Sequence, residues 1–335
     1  MNGILIGDVR DVLDTLPAES VHCCITSPPY WGLRSYLPAD SPDKHREIGA
    51  EATPDEYVAT MVDVFSRVRR VLRADGTLWL NLGDSYNGSN ATQGGDGSSS
   101  GLMRDGRAES TRLATNVRDQ MIKANREGAM KRAPGLKPKD LCLIPYRVAL
   151  ALQADGWYLR SNIVWAKGLS FCEHYAGSVM PESVQDRPTS AHEAVFLLSK
   201  SQRYFYDADA VREAHRREWW SETRGPKYMT AEDGRNDGGK CEGEGNPAGR
   251  NLRNVWAISP RPYSGSHYAV FPPRLVAPMV KAGCPKGGTV LDPFLGSGTT
   301  AQVAQDHGRK WIGIDLDERN KALIHKRTAQ QSLLG

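Results

Sequence analysis

The chain has six cysteines and no CxxC pair among them, so neither a dithiol redox centre nor a paired-cysteine zinc site is written into its 335 residues. No apolar run approaches the length of a membrane span, and the amino terminus lacks a basic stretch followed by a hydrophobic signal segment. Together these absences predict a soluble protein in a reducing cytoplasm, with no membrane contact. The glycines form no GKT or GKS, which excludes a phosphate-gripping P-loop, and no complete GxGxxG, which weakens a dinucleotide site. His192-Glu193 opens like the zinc motif HExxH, but position 196 is Phe. A zinc deaminase would need HxE together with PCxxC, and that combination does not occur. Cys172 and His174 lack a matching second pair, so no metal is expected. Net charge is only +4. A nucleic-acid partner must therefore be argued from where the charge lies.

An alternating β/α pattern is present. Residues 3–7 (GILIG) and 21–26 (VHCCIT) are short apolar strands flanking a helix-like DVRDVLDTL. Between 54 and 73, Tyr57, Met61, Val64, Phe65, Val68, Val71 and Leu72 recur at helical spacing and read as a core face. Ala74-Asp75-Gly76 is expected to stop that helix before the strand TLWLNL. From Ser85 to about Pro138 the sequence turns polar and glycine-rich, then basic, as in a mobile insertion. Order returns with LCLIPYRVALALQADGWYLRSNIVWAKG, followed by a strand expected over 192–207. Residues 208–256 are again polar, and the last stretch alternates helix and strand to the end.

Two places carry chemistry. Ser27-Pro28-Pro29-Tyr30 follows the strand 21–26, and its prolines enforce a stiff extended turn at that strand's carboxyl end. Pro-Pro-aromatic is also an ordinary loop, but in open parallel sheets ligands bind at this edge. Far downstream, LDPFLGSGTT follows a strand and opens a helix, where Gly296 and Gly298 let the backbone approach a ligand closely. The next strand ends at Asp315, twenty-three residues after Asp292, near the spacing at which an acidic side chain takes ribose hydroxyls. Alone, Asp315 reads equally well as a helix-capping carboxylate. With the glycine loop before it, an adenosyl cofactor lacking pyrophosphate fits.

TSPPYW, LDPFLGSGTT and WIGID, in this order, resemble the beta-class DNA amino-methyltransferases of the SPPY type. The similarity extends to Asp8 in GDVRDVL, to NLGDSY, to WYLRSNIVWAKG and to HYAVFPPRLV, and omits roughly 87–138 and 208–256. It implies a circularly permuted Rossmann-like α/β fold: a mostly parallel twisted sheet, helices on both faces, and an inserted target-recognition region. It also implies S-adenosyl-L-methionine as cofactor. Asp292, Pro293, Phe294, Gly296, Ser297, Gly298 and Thr299 would hold it, Asp315 would bind ribose, Asp8 would reach the adenine end, and Phe271 and Pro272 would close over the methionine part. The expected organisation is a catalytic half over 1–86 and 139–207, a flexible basic insertion over 87–138, a target-recognition segment over 208–256 and a cofactor-binding half over 257–335. Double-stranded DNA is the expected partner, with a homodimer and a cognate restriction endonuclease as further partners compatible with the family.

An exocyclic base amine is a poor nucleophile, because its lone pair is delocalised into the ring. The catalyst must accept its N–H hydrogens and steer the lone pair at the methyl sulfonium. The Pro28 carbonyl and the Ser27 hydroxyl can do so from positions that Pro28-Pro29 holds with little reorganisation. Tyr30 can stack on the extruded base, a contact worth about 1–3 kcal/mol. In the family, Ser before Pro-Pro-Tyr usually accompanies cytosine N4 methylation, and Asp or Asn there usually accompanies adenine N6 methylation. Ser27 therefore favours cytosine, with adenine as the alternative. Ring-carbon methylation is set aside because no cysteine follows a proline. RNA or protein methylation by a similar turn, and an inactive DNA-binding module, rank lower.

DNA contacts are expected from two segments. Residues 101–140 hold ten Lys/Arg against five Asp/Glu, a cationic strip with Lys123, Lys131 and Arg132 among its members that could neutralise phosphates. In the recognition segment, Arg216, Arg217 and Arg224 could read guanine, and Trp219 and Trp220 could wedge or stack.

Overall fold

The computed structural model describes residues 2–32, 37–38, 40–88, 133–179, 182, 184–214, 248–260 and 271–329. Its strands are β1 (Gly3–Ile6), β2 (Val21–Thr26), β3 (Leu72–Leu82), β4 (Tyr158–Ala166), β5 (His192–Ser199), β6 (Val255–Ala257), β7 (Thr289–Asp292) and β8 (Lys310–Asp315). Its helices are α1 (Val9–Thr15), α2 (Pro54–Val71), α3 (Ile144–Ala154), α4 (Pro273–Gly283), α5 (Thr299–Asp306) and α6 (Asn320–Ala329). The strands form one sheet in the order β1-β8-β7-β2-β3-β5-β4-β6. Neighbours from β1 to β3 run parallel, β5 is antiparallel to β3 and β4, and β6 joins β4 in parallel.

This order shows the permutation directly. The first strand pairs with the last, Gly3 opposite Ile312 through Ile6 opposite Asp315. Strand order reverses between β7 and β2, so the carboxyl ends of the strand before the glycine loop and the strand before Ser27 lie side by side. That is the switch point at which such sheets bind ligands.

Helices cover both faces. α1, α2 and α3 pack on one face with Leu13, Tyr57, Phe65, Val148, Leu78 and Leu80 in its core. The other core joins α4, α5 and α6 through Val276, Val280, Ala301 and Ile324. Adjacent residues of β2 serve opposite faces, as a period of two requires: Cys24 belongs to the first core and Cys23 to the second. Burial pushes both thiols well above their ordinary value, so neither is a thiolate nucleophile. α2 is specified locally as well. Thr53 caps it in a reciprocal box with Glu56, Pro54 opens it, and Tyr57, Met61, Val64, Phe65, Val68 and Val71 are buried.

Three expectations need correction. α2 ends at Val71, short of the stop expected at Ala74-Asp75-Gly76, because Leu72 already takes extended backbone (ψ 140°) and starts β3. The Ala74-Asp75-Gly76 stretch is instead absorbed as an irregularity between the pairs Val21–Leu72 and Cys23–Thr77. The strand expected to reach residue 207 stops at Ser199, whose hydroxyl donates to the Ser201 carbonyl in a local turn. β6 was not expected; its three residues carry no legible alternation. Among the described residues, no helix is long and apolar enough to cross a membrane.

Candidate active site

The turn after β2 is braced on several sides. Buried Tyr57, on α2, donates its hydroxyl to the Pro29 carbonyl at 2.8 Å. Trp31 Nε1 donates to the Glu51 carbonyl at 2.9 Å, and Gly32 N to the Gly49 carbonyl at 2.8 Å. Gly49 (φ +98°) passes so close that a Cβ there would lie 3.0 Å from the Tyr30 carbonyl and 3.3 Å from Pro29 Cβ. Pro28 is buried, whereas Ser27, Pro29 and Tyr30 are half-buried.

Tyr30 reaches across the ends of β3 and β5. Its hydroxyl lies 2.8 Å from Glu193 Oε2, 3.2 Å from Asn81 Oδ1 and 3.2 Å from Ser27 Oγ. Asn81 Nδ2 donates to Glu193 Oε2 at 3.1 Å and to the Ala194 carbonyl at 3.2 Å. Lys167, just beyond β4, pairs with Glu193 Oε1, and its ammonium sits 4.8 Å from the centre of the Trp165 ring. The Tyr30 ring packs on the backbone of Gly83, where a Cβ would stand 2.7 Å from Tyr30 Cδ2. Sequence reasoning missed Glu193, Asn81 and Lys167. Glu193 entered it only as part of a failed zinc motif. One signal was present: a carboxylate at the end of a strand otherwise buried on both faces needs a partner.

Asp292 ends β7 beside this turn. Its Oδ1 accepts from Thr26 Oγ1 at 2.7 Å and from Phe294 N at 3.0 Å, and its Oδ2 accepts from Thr300 Oγ1 at 2.6 Å. The Thr26 contact ties the residue before Ser27 to the first residue of the glycine loop. Complete burial pushes the Asp292 carboxyl up to about 6, against the lowering effect of those three donors. Gly296 and Gly298 both take left-handed backbone (φ +52° and +85°), and Gly298 caps α5. Asp315 at the end of β8 accepts from Gly296 N at 2.8 Å through Oδ2, and from Asp317 N and Asn320 Nδ2 through Oδ1. Ser297 Oγ accepts from Arg327 at 2.8 Å, Thr299 is buried, and Pro293 lies within the loop.

Asp8 follows β1, at the same sheet edge as Asp315, and its neighbour Gly7 donates its N–H to the Asp315 carbonyl at 2.9 Å. The Asp8 carboxylate caps α1 and accepts from Arg10 and from Arg46 Nε. Burial pushes the Asp8 carboxyl up, but its bonds to Arg10 and the nearby Arg46 charge outweigh that and hold it below its ordinary value. Phe271 is half-buried and Pro272 is the residue before α4. Lys123, Lys131, Arg132, Arg216, Arg217, Trp219, Trp220 and Arg224 lie outside the described residues.

Comparison with known proteins decides the family. The profile of the DNA methylase family of N6 and N4 enzymes matches residues 21–326. The chain belongs to this family of DNA amino-methyltransferases. It is 40% identical over 97% of its length to the type II methyltransferase M.SmaI of Serratia marcescens, covering 89% of that protein. It is 39% identical over 95% of its length to M.Cfr9I of Citrobacter freundii, covering 85% of it. The fold is shared with the cytosine-N4-specific PvuII DNA methyltransferase, at TM-score 0.60 and 18% identity, over 99% of this chain and 88% of that one. A Thermus thermophilus protein solved with S-adenosyl-L-methionine aligns at TM-score 0.53 and 21% identity, over 100% of this chain and 98% of the other.

The cofactor of this amino-methyltransferase is S-adenosyl-L-methionine, and its residues fit that group. The stretch from Asp292 to Asp306 carries no Lys or Arg, as suits a ligand with no phosphate, and a carboxylate stands at the end of the following strand. The two left-handed glycines, on either side of Ser297, add no side-chain bulk at their own positions in the turn.

Proposed function

We propose that the chain methylates the N4 amine of a cytosine flipped out of double-stranded DNA. The observation that carries this reading is Ser27. Its hydroxyl stands at the carboxyl end of β2, and the Thr26–Asp292 hydrogen bond of 2.7 Å couples that strand end to the cofactor loop. S-adenosyl-L-methionine supplies an electrophilic methyl group on sulfonium sulfur. Asp292 to Thr299 shape its seat, Asp315 takes the ribose, Asp8 lies towards the adenine end, and Phe271 and Pro272 flank the methionine part.

The Ser27 hydroxyl and the Pro28 carbonyl accept the two amine hydrogens, which turns the nitrogen lone pair out of conjugation and towards the methyl carbon. Pro28, Pro29 and the Tyr57 brace hold those acceptors in place beforehand, so little reorganisation accompanies the reaction. Bound there, the cofactor would supply the methyl group to this nitrogen and leave as a neutral thioether, and the surplus amine proton would pass to solvent. Tyr30 borders the base. The PvuII enzyme, cytosine-N4-specific by name, is a fold neighbour in keeping with this choice. The proposed phosphate contacts lie in the basic insertion over 87–138 and the proposed base contacts in the recognition segment over 208–256, Arg216, Arg217, Trp219, Trp220 and Arg224 among them.

The test is mass spectrometry of nucleosides from unmethylated DNA incubated with protein and cofactor, beside a Ser27→Ala/Tyr30→Ala control. N4-methylcytosine that disappears in the control is expected. N6-methyladenine would keep the chemistry and overturn the base assignment. Neither product on several DNAs would overturn the DNA substrate.

A further inference from the structure

We infer that Glu193 is a positioning residue that sets the direction of the Tyr30–Ser27 hydrogen bond, so that Ser27 meets the substrate amine as an acceptor. The inference rests on the methyltransferase reading above and concerns a residue of β5 that the SPPY turn does not contain. A serine hydroxyl can face an amine either with its proton or with its lone pairs, and only the second arrangement helps the reaction. Something must decide between them.

The decision can be followed from the far end of the network. The Ala194 carbonyl can only accept, so Asn81 turns Nδ2 towards it at 3.2 Å, and Oδ1 is left on the side of Tyr30, 3.2 Å from the phenol oxygen. Glu193 is paired with Lys167 through Oε1, with side chains 14% and 24% exposed respectively. A carboxylate has acceptors only. Its Oε2 lies 2.8 Å from the same phenol oxygen. Tyr30 has one proton, and both of these groups accept it. The phenol can then meet Ser27, at 3.2 Å, only with a lone pair. Ser27 must donate its proton inward, and its own lone pairs are left for the base. A hydroxyl that donates to a polarised chain is also a better acceptor, because successive hydrogen bonds reinforce one another. This gives a physical account of how a serine can serve where a carboxylate or amide would accept directly.

Glu193→Gln breaks the logic without changing shape. The Gln amide turns its oxygen to Lys167 and its NH2 to Tyr30, which leaves the phenol proton only the longer contact to Asn81 Oδ1, at 3.2 Å, and weakens its hold against turning towards Ser27. Tyr30→Phe removes the relay oxygen and keeps the ring against Gly83. The experiment measures single-turnover methylation, cofactor affinity by calorimetry and thermal midpoint for wild type, each single variant and the double variant. Each single variant is expected to lose roughly 10- to 100-fold in the methyl-transfer rate, the worth of one charge-assisted hydrogen bond, with cofactor affinity unchanged. Because both act through one relay, the double variant should be no slower than the slower single one. Losses that multiply, or a Tyr30→Phe rate equal to wild type, would overturn the inference. The Phe variant decides the matter even if Glu193→Gln does not fold. A wild-type chain that methylates no DNA fails at the earlier step, and is told apart from this failure by the wild-type arm alone.

Discussion

Asp292→Asn should change how stability depends on pH. The carboxyl is fully buried, and burial, opposed by Thr300, Thr26 and Phe294 N, raises it from the ordinary 3.8 to about 6. The folded state therefore holds this proton more tightly than the unfolded chain does. Below the unfolded value the stabilisation is complete, and it is lost as pH rises through about 6. A rise of that size corresponds to about 3 kcal/mol over the full window, of which about 2 kcal/mol falls between about pH 4.5 and 7.5. Asparagine keeps an acceptor for Thr26 and Phe294 N and does not titrate. Urea unfolding of both proteins without cofactor, across that range, gives the difference directly. Asp8 and Asp84 shift in opposite directions, but they are common to both proteins and cancel. Wild type should lose about 2 kcal/mol relative to the variant as pH rises. A difference that stays flat, or grows in favour of wild type, would refute the assignment of a proton to this buried carboxyl.

Gly83→Ala should press a methyl group into the Tyr30 ring, 2.7 Å from Cδ2, and lower the methyl-transfer rate about 10-fold with little change in cofactor affinity, as read by single turnover and calorimetry. Asp315→Ala removes the carboxylate that holds Gly296 N at 2.8 Å and faces the proposed ribose seat; calorimetry should show cofactor affinity lower by roughly 10- to 100-fold. Thr53→Ala opens the capping box of α2 and should cost about 1 kcal/mol in urea unfolding, with activity per folded molecule unchanged.

The sequence by itself determined the local pieces. Proline pairs stiffen whatever follows a strand, glycine pairs open a loop, and a helical period marks Tyr57 to Val71 as a core face; each of these signals spans a few residues and depends on no distant partner. The order of SPPY before LDPFLGSGTT likewise fixed the permutation, which the pairing of β1 with β8 bears out. What tertiary structure decided is everything that depends on strands far apart in the chain. Thr26 meets Asp292 across 266 residues, and Tyr30 meets Glu193 across 163, because sheet order rather than chain order sets which carboxyl ends adjoin. Glu193 illustrates the limit. In the sequence it is one acid before an apolar run, and only the antiparallel placement of β5 beside β3 and β4 puts it against Asn81, Lys167 and Tyr30.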